Sequence, residues 1–156
     1  MRGYDYYQFS GTTALFGDVE LRFPLIEAML TPIGMLGGVR GVAFFNIGAG
    51  WYPGQDFTFW TSETETYQRQ LGTDIDENGN LVGIYAPPVT VSGFRLRDSR
   101  ASYGFGVQTF LLGLPMHFDW AWRTTFNQAW ENEVLGAAEA ELWRKPRFQF
   151  WIGFDF

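Results

Sequence analysis

The sequence predicts an all-β fold, an antiparallel transmembrane β-barrel region of about five strands with long extracellular loops. Three observations predict it. Five segments alternate apolar and polar residues with period two, the signature of strands. In none of them does a charged side chain fall on the apolar face. The connections also alternate between long and short, as in barrels with long outside loops and short periplasmic turns.

Residues 1–11, MRGYDYYQFSG, read as loop. Across 13–25 the odd positions Leu15, Val19, Leu21, Phe23 and Leu25 are apolar, while Asp18, Glu20 and Arg22 share the other face. Residues 26–38 hold Pro32, Gly34, Gly37 and Gly38 and read as a connection of moderate length, with a helical turn possible over 27–30. The second alternation, 39–51, sends Val39, Ala43, Phe45, Ile47, Ala49 and Trp51 outward. Arg40, Phe44, Asn46, Gly48 and Gly50 then face inward.

Residues 53–100 form a long excursion opened by Pro53-Gly54, longer than a compact domain usually carries without a use for it. The third alternation, 102–112, puts Tyr103, Phe105, Val107, Thr109 and Leu111 out, and Gly104, Gly106 and Gln108 in. Gly113-Leu114-Pro115 is a tight turn. The fourth strand follows, with Met116, Phe118, Trp120 and Trp122 out and His117, Asp119, Ala121 and Arg123 in, so that the two make a hairpin. A second long connection, 127–146, is rich in Ala and Glu and predicts a helical segment over about 128–143. The closing strand, 147–156, places Phe148, Phe150, Ile152, Phe154 and Phe156 on one face and Arg147, Gln149, Gly153 and Asp155 on the other, with Trp151 ambiguous.

Composition agrees. Aromatic residues make up 19% of the chain, which suits membrane-interface girdles, although an aromatic-rich soluble β protein has the same composition. A net charge of −6 and a single lysine, Lys145, exclude the clustered basic face of a nucleic-acid binder. The absence of cysteine excludes a disulfide framework and thiolate metal sites. No apolar run reaches the length of a membrane helix, a test that barrel strands do not have to meet. Met1 leads straight into aromatic and polar residues with no secretory leader, which leaves a cytosolic chain or the tail of a longer precursor.

Several motifs resemble one family. Met1-Arg2-Gly3-Tyr4 resembles the hydrophobic-Arg-Gly-aromatic tip of an inward-folding loop, and Gly17-Asp18-Val19-Glu20-Leu21-Arg22-Phe23-Pro24-Leu25 is similar to the strand after it. Phe44-Phe45-Asn46-Ile47-Gly48 resembles the next strand's Phe-x-Asp-x-Gly, and Ser102-Tyr103-Gly104-Phe105-Gly106 a later Ser-x-Gly-x-Gly. With the aromatic terminus Phe156, they stand in the order of the bacterial surface antigen family, the barrel of outer-membrane assembly factors and two-partner secretion transporters.

The resemblance implies that 1–11 is the end of that loop and 12–156 the C-terminal strands of a larger barrel, sixteen strands in the family. It implies a lumenal clamp of Arg2, Gly3 and Tyr4 on Glu20, with Asp18 near and Asn46 where the family carries Asp. It also implies a C-terminal insertion signal at Phe150, Ile152, Phe154 and Phe156. Five strands alone would leave two unpaired edges prone to aggregation.

Other constellations are weaker. Asp74, Asp76 and Asn78 begin a calcium-loop pattern, but its twelfth position is Tyr85 rather than a bidentate Glu, and an acidic hairpin turn fits better. His117 and Asp119 share the lumenal face with no nucleophile in motif context, so a polar lumen accounts for both. Trp51, Trp120, Trp122, Trp143 and Trp151 read as girdle or lipid-facing residues.

The functional expectation is therefore a non-enzymatic outer-membrane barrel of a Gram-negative-type bacterium, without cofactor. It assists assembly, insertion or translocation of outer-membrane polypeptides. The alternative is an anchoring barrel attached to a separate domain such as a β-propeller or hydrolase. Expected partners are outer-membrane lipid, the outer-membrane assembly machinery and unfolded outer-membrane polypeptides, with no nucleic acid.

Overall fold

A computed structural model describes residues 1–32, 34–111 and 113–153. Its centre is one antiparallel five-stranded sheet in the order β1-β2-β9-β10-β11. The strands are β1 (Thr13–Thr31), β2 (Gly34–Trp51), β9 (Arg100–Leu111), β10 (Leu114–Thr124) and β11 (Arg147–Ile152). The sheet is open among the described residues: β1 and β11 each pair along one edge only.

The first hairpin corrects the sequence reading. Residues 26–31 and 34–38 are strand, neither loop nor helical turn: β1 runs on to Thr31 and β2 starts at Gly34, and the two residues pair directly. A bulge hid this. The register slips between Pro24 and Ile26 in β1, and between Gly37 and Arg40 where β2 meets β9. Proline cannot donate to a ladder, and one extra residue reverses which face each later side chain takes, so the period-two pattern breaks where the strand continues. The β9–β10 hairpin closes as tightly, Leu111 pairing with Leu114. Both short connections lie at one end of the sheet and both long ones at the other.

The excursion after β2 is also ordered. It folds as three nested ladders: β3 (Trp60–Thr61) with β8 (Arg95–Leu96), β4 (Glu65–Tyr67) with β7 (Val89–Val91), and β5 (Gln70–Ile75) with β6 (Leu81–Tyr85). Together they make one interrupted hairpin arm. Fully buried Arg95 ties its base, donating to Glu63 O at 2.8 Å and pairing with Glu65 at 2.8 Å under the Trp130 ring.

At the arm's tip Asp76 accepts from the backbone N–H of Asn80 (2.8 Å) and Asn78 (2.9 Å), and Gly79 takes φ +83°. The Asn80 amides, followed by those of Asn78 and Gly79, hold the Asp76 carboxyl below its usual range. Its contribution to the turn is present above the unfolded carboxylate value of about 3.9 and is lost as pH falls through the lowered folded value. The amide proton shifts of Asn78 and Asn80 are expected to titrate together, with a midpoint below that of an unstructured Asp peptide.

The second long connection holds α1 (Gln128–Leu135) and α2 (Ala137–Arg144). The expected single helix is broken at Gly136, whose φ of +87° is left-handed. Asn127 caps α1 by accepting from Trp130 N at 3.1 Å. Buried Glu131 accepts from Thr125 N at 2.8 Å and pairs with Arg144 at 3.0 Å, which ties both helices to the end of β10. Among the described residues no helix is long and apolar enough to cross a membrane.

Burial in the sheet is inverted relative to a protein with an oily core. On one face Val19, Leu21, Phe105 and Phe148 are 68%, 67%, 52% and 54% exposed. On the other, Asn46, His117 and Asp119 are 2%, 3% and 3% exposed. Stacked pairs Phe105–Trp120 (5.4 Å) and Tyr103–Trp122 (6.1 Å) belong to the exposed face. Unpartnered apolar area of this extent marks a surface that meets lipid or another protein.

Candidate lumenal clamp

The polar face is occupied by the chain's own first residues. Met1-Arg2-Gly3-Tyr4 forms a β-turn, Tyr4 N donating to Met1 O at 3.4 Å. Its third residue, Gly3, has φ +82°, and a side chain there would also crowd the Ala121 Cβ at 3.1 Å. Glycine is required on both counts.

The turn touches all five strands. Arg2 pairs through Nη2 with Glu20 of β1 and through Nε with Asp119 of β10 at 3.2 Å. Its backbone N–H donates to Asn46 of β2 at 3.3 Å, and its carbonyl accepts from the Ser102 hydroxyl of β9 at 2.7 Å. Gly3 N donates to Gln149 of β11 at 2.9 Å. The Arg2 guanidinium lies 4.5 Å from the centroid of the Phe44 ring, a cation–π contact that covers its remaining face. Asn46 in turn donates to Asp18, so the neutral residue bridges the Arg2 backbone and a carboxylate.

This geometry requires a concave face. β1 and β10 are three strand spacings apart, about 14 Å along a flat sheet. One guanidinium meets carboxylates from both, so the sheet curls around it. Three residues of β9 shape the hollow. Ser102 supplies the hydroxyl, a Cβ at Gly104 would collide with the Phe44 ring and the Trp120 carbonyl, and a Cβ at Gly106 would collide with the Asp119 carboxylate. The Ser-x-Gly-x-Gly pattern is thus one donor and two vacated positions.

Tyr4 and Asp5 extend the contact upward. Buried Tyr4 donates to Ala101 O at 3.0 Å and meets Phe9 and Trp143 edge-on. Burial pushes its hydroxyl well above the ordinary tyrosine range and keeps it a donor. Asp5 receives the Arg147 fork at 2.9 and 3.1 Å, and those hydrogen bonds hold its carboxyl below the usual range.

Of the residues expected at the clamp, Arg2, Gly3, Tyr4, Glu20 and Asn46 come together here. Asp119, Phe44, Gln149, Arg147 and Trp151 were not anticipated. Face parity placed most of them inward, and a glycine opposite Asp119 in register was the available signal for a group needing space. Trp151 and Trp143 depart from the girdle reading. Trp151 faces inward, stacks on His117 at 3.5 Å and donates Nε1–H to Asp119 at 3.2 Å. Trp143 lies over Arg123, whose Nε donates to the Trp143 carbonyl at 2.9 Å.

His117 Nε2 is 3.1 Å from Gly153 O and 3.3 Å from Gln108 Nε2. Both members of the His117–Asp119 pair are therefore engaged in holding neighbours. Of the residues expected to form a C-terminal signal, Phe150 and Ile152 are exposed on the apolar face, 47% and 54%, while Phe154 and Phe156 lie outside the described residues. At the candidate cation site, Asp76 is used by its own turn and Asp74 accepts from Ile75 N at 2.8 Å. Among the described residues no three His, Asp or Glu side chains converge as metal ligands.

The family model described as the Omp85 superfamily domain matches residues 2–156. Proteins of that superfamily are outer-membrane proteins of Gram-negative-type bacteria and serve generally in outer-membrane protein assembly or translocation. No curated protein and no solved structure matches the chain. The open antiparallel sheet, the turn seated in its hollow and a family match over 2–156 lead to one assignment: the chain belongs to the Omp85 superfamily.

Proposed function

We propose that this chain is part of an outer-membrane β-barrel that assists the insertion or translocation of other outer-membrane polypeptides. Family membership over residues 2–156 carries the reading. The inverted burial supports the membrane placement: apolar side chains face outward and an ion-paired network lies inward, the reverse of what water would select. The segregation of short and long connections to opposite ends supports the same orientation, with the arm and the helices outside.

The free edges of β1 and β11 support a larger barrel, since an unpaired strand edge in lipid leaves backbone groups unsatisfied at several kcal/mol each. In this reading 1–11 is the end of an inward-folding loop, 12–156 supplies strands of a larger, sixteen-stranded barrel, and Arg2, Gly3, Tyr4, Glu20 and Asn46 act with Asp119 as the clamp. Phe150, Ile152, Phe154 and Phe156 present the terminal strand to the assembly machinery.

Depleting the protein from its cell tests the activity. The amount of folded, heat-modifiable barrel proteins in the outer membrane is expected to fall several-fold while their unfolded forms accumulate in the periplasm. Normal levels of other barrels after depletion of a protein found in the outer membrane beforehand would overturn the assembly role and leave an anchoring one.

A further inference from the structure

Phe126 is the one non-glycine among the described residues with a positive φ, +67°. A bulky residue in the left-handed region is strained, so its surroundings must enforce it. They do: its N–H donates to the Thr124 hydroxyl at 2.8 Å, and Thr125 before it is bound to buried Glu131. The strain gains no interior packing, because the Phe126 ring is 48% exposed. What it gains is position. The ring stands 6.3 Å from Phe45 on the apolar face of the sheet and 5.9 Å from Phe94, and Phe94 stands 5.8 Å from Trp60 in the arm. Phe94 and Trp60 are 47% and 57% exposed.

A line of four aromatic rings therefore leads from the outward face of β2, past the end of β10, onto the base of the arm. We infer that this line is a lipid anchor that seats the arm base in the headgroup–acyl boundary of the outer leaflet. Aromatic rings partition to that boundary, where one side is apolar and the other wet. The line is continuous with the sheet face that the proposed membrane placement puts in lipid, and the inference rests on that placement. Phe126 is the joint, carrying the apolar surface across the gap between strand and arm. The arm's tip stays clear of that boundary: it is the acidic, polar turn around Asp76 and Glu77.

The chain has no cysteine, so single labels can be introduced cleanly. Nitroxide side chains at Trp60→Cys, Leu21→Cys and Glu77→Cys, in outer-membrane vesicles carrying the protein, are compared by oxygen against water-soluble nickel-chelate accessibility. Leu21→Cys is expected to read as acyl chain and Glu77→Cys as water. Trp60→Cys is expected to fall between them, with an oxygen-to-nickel ratio several-fold above that of Glu77→Cys that drops toward the Glu77→Cys value when Phe94→Ala and Phe126→Ala are added. A Trp60→Cys label as wet as Glu77→Cys, with Leu21→Cys in lipid, overturns the anchor and leaves the barrel standing. A Trp60→Cys label whose ratio ignores the two alanines also overturns it. A wet Leu21→Cys overturns the membrane placement itself, and the anchor with it.

Discussion

Arg2→Ala is expected to destabilise the protein by about 3 kcal/mol, because it removes the cation from a nearly dry pair of carboxylates. The Arg2, Glu20 and Asp119 side chains are only 16%, 12% and 4% exposed. Glu20 keeps Arg22 as a partner at 2.8 Å, but Asp119 is left with the neutral Trp151 N–H, so most of the cost falls on Asp119. Asp119→Asn in the Arg2→Ala background should therefore recover part of the loss, whereas Glu20→Gln should recover little. Arg2→Lys should sit near the alanine variant. A lysine carries the charge on one atom and cannot fork between strands that need Nη2 and Nε at once. The measurement is the urea midpoint of the membrane-inserted protein; a shift within error for Arg2→Ala would sink the clamp.

Leu21→Arg is expected to cost about 2 to 4 kcal/mol, for a different reason. Leu21 is 67% exposed, and on a protein in water such a substitution falls within about 0.5 kcal/mol. On a lipid-facing strand near the bilayer midplane an arginine costs about 2 to 4 kcal/mol, falling toward the interfaces. The gap between those values makes the variant decisive. Reduced insertion of Leu21→Arg, beside normal insertion of an arginine placed at Thr66 on the arm, is the expected pair of results. Equal insertion of both would put the apolar face in contact with something other than lipid.

Much of the sheet was legible because a period of two is a local property. Leu15 to Leu25 and Phe148 to Ile152 declare their faces without reference to any other strand. What failed was what depends on a partner. The strand beyond Pro24 was invisible because its bulge is defined only against β2, and of the arm only the acidic hairpin turn at its tip was legible, because its lower ladders of two and three residues carry no periodicity. At the site, Arg2, Gly3, Tyr4 and Glu20 were legible as motif, yet Asp119 was not. Nothing in its own neighbourhood distinguishes a carboxylate that pairs with a residue 117 positions away; only the register against Gly106, where a side chain is missing, points to it. Trp151 was ambiguous for a related reason, since an indole suits lipid and lumen equally until the Asp119 oxygen and the His117 ring claim it.

The nested arm also bears on how the sheet forms. The β1–β2 and β9–β10 hairpins are sequence-local and close on their own, but joining β2 to β9 means bringing Gly48 and Arg100 together across the whole excursion. For a featureless loop of that length the entropy of closure is about 3 kcal/mol, to be met before any ladder bond rewards it. A hairpin that starts at the Asp76 turn and zips through β5/β6, β4/β7 and β3/β8 replaces that single large closure with a series of small ones. It delivers the two halves of the sheet to each other already in register. The arm is then expected to set the order of events: tip first, seam between the hairpins last.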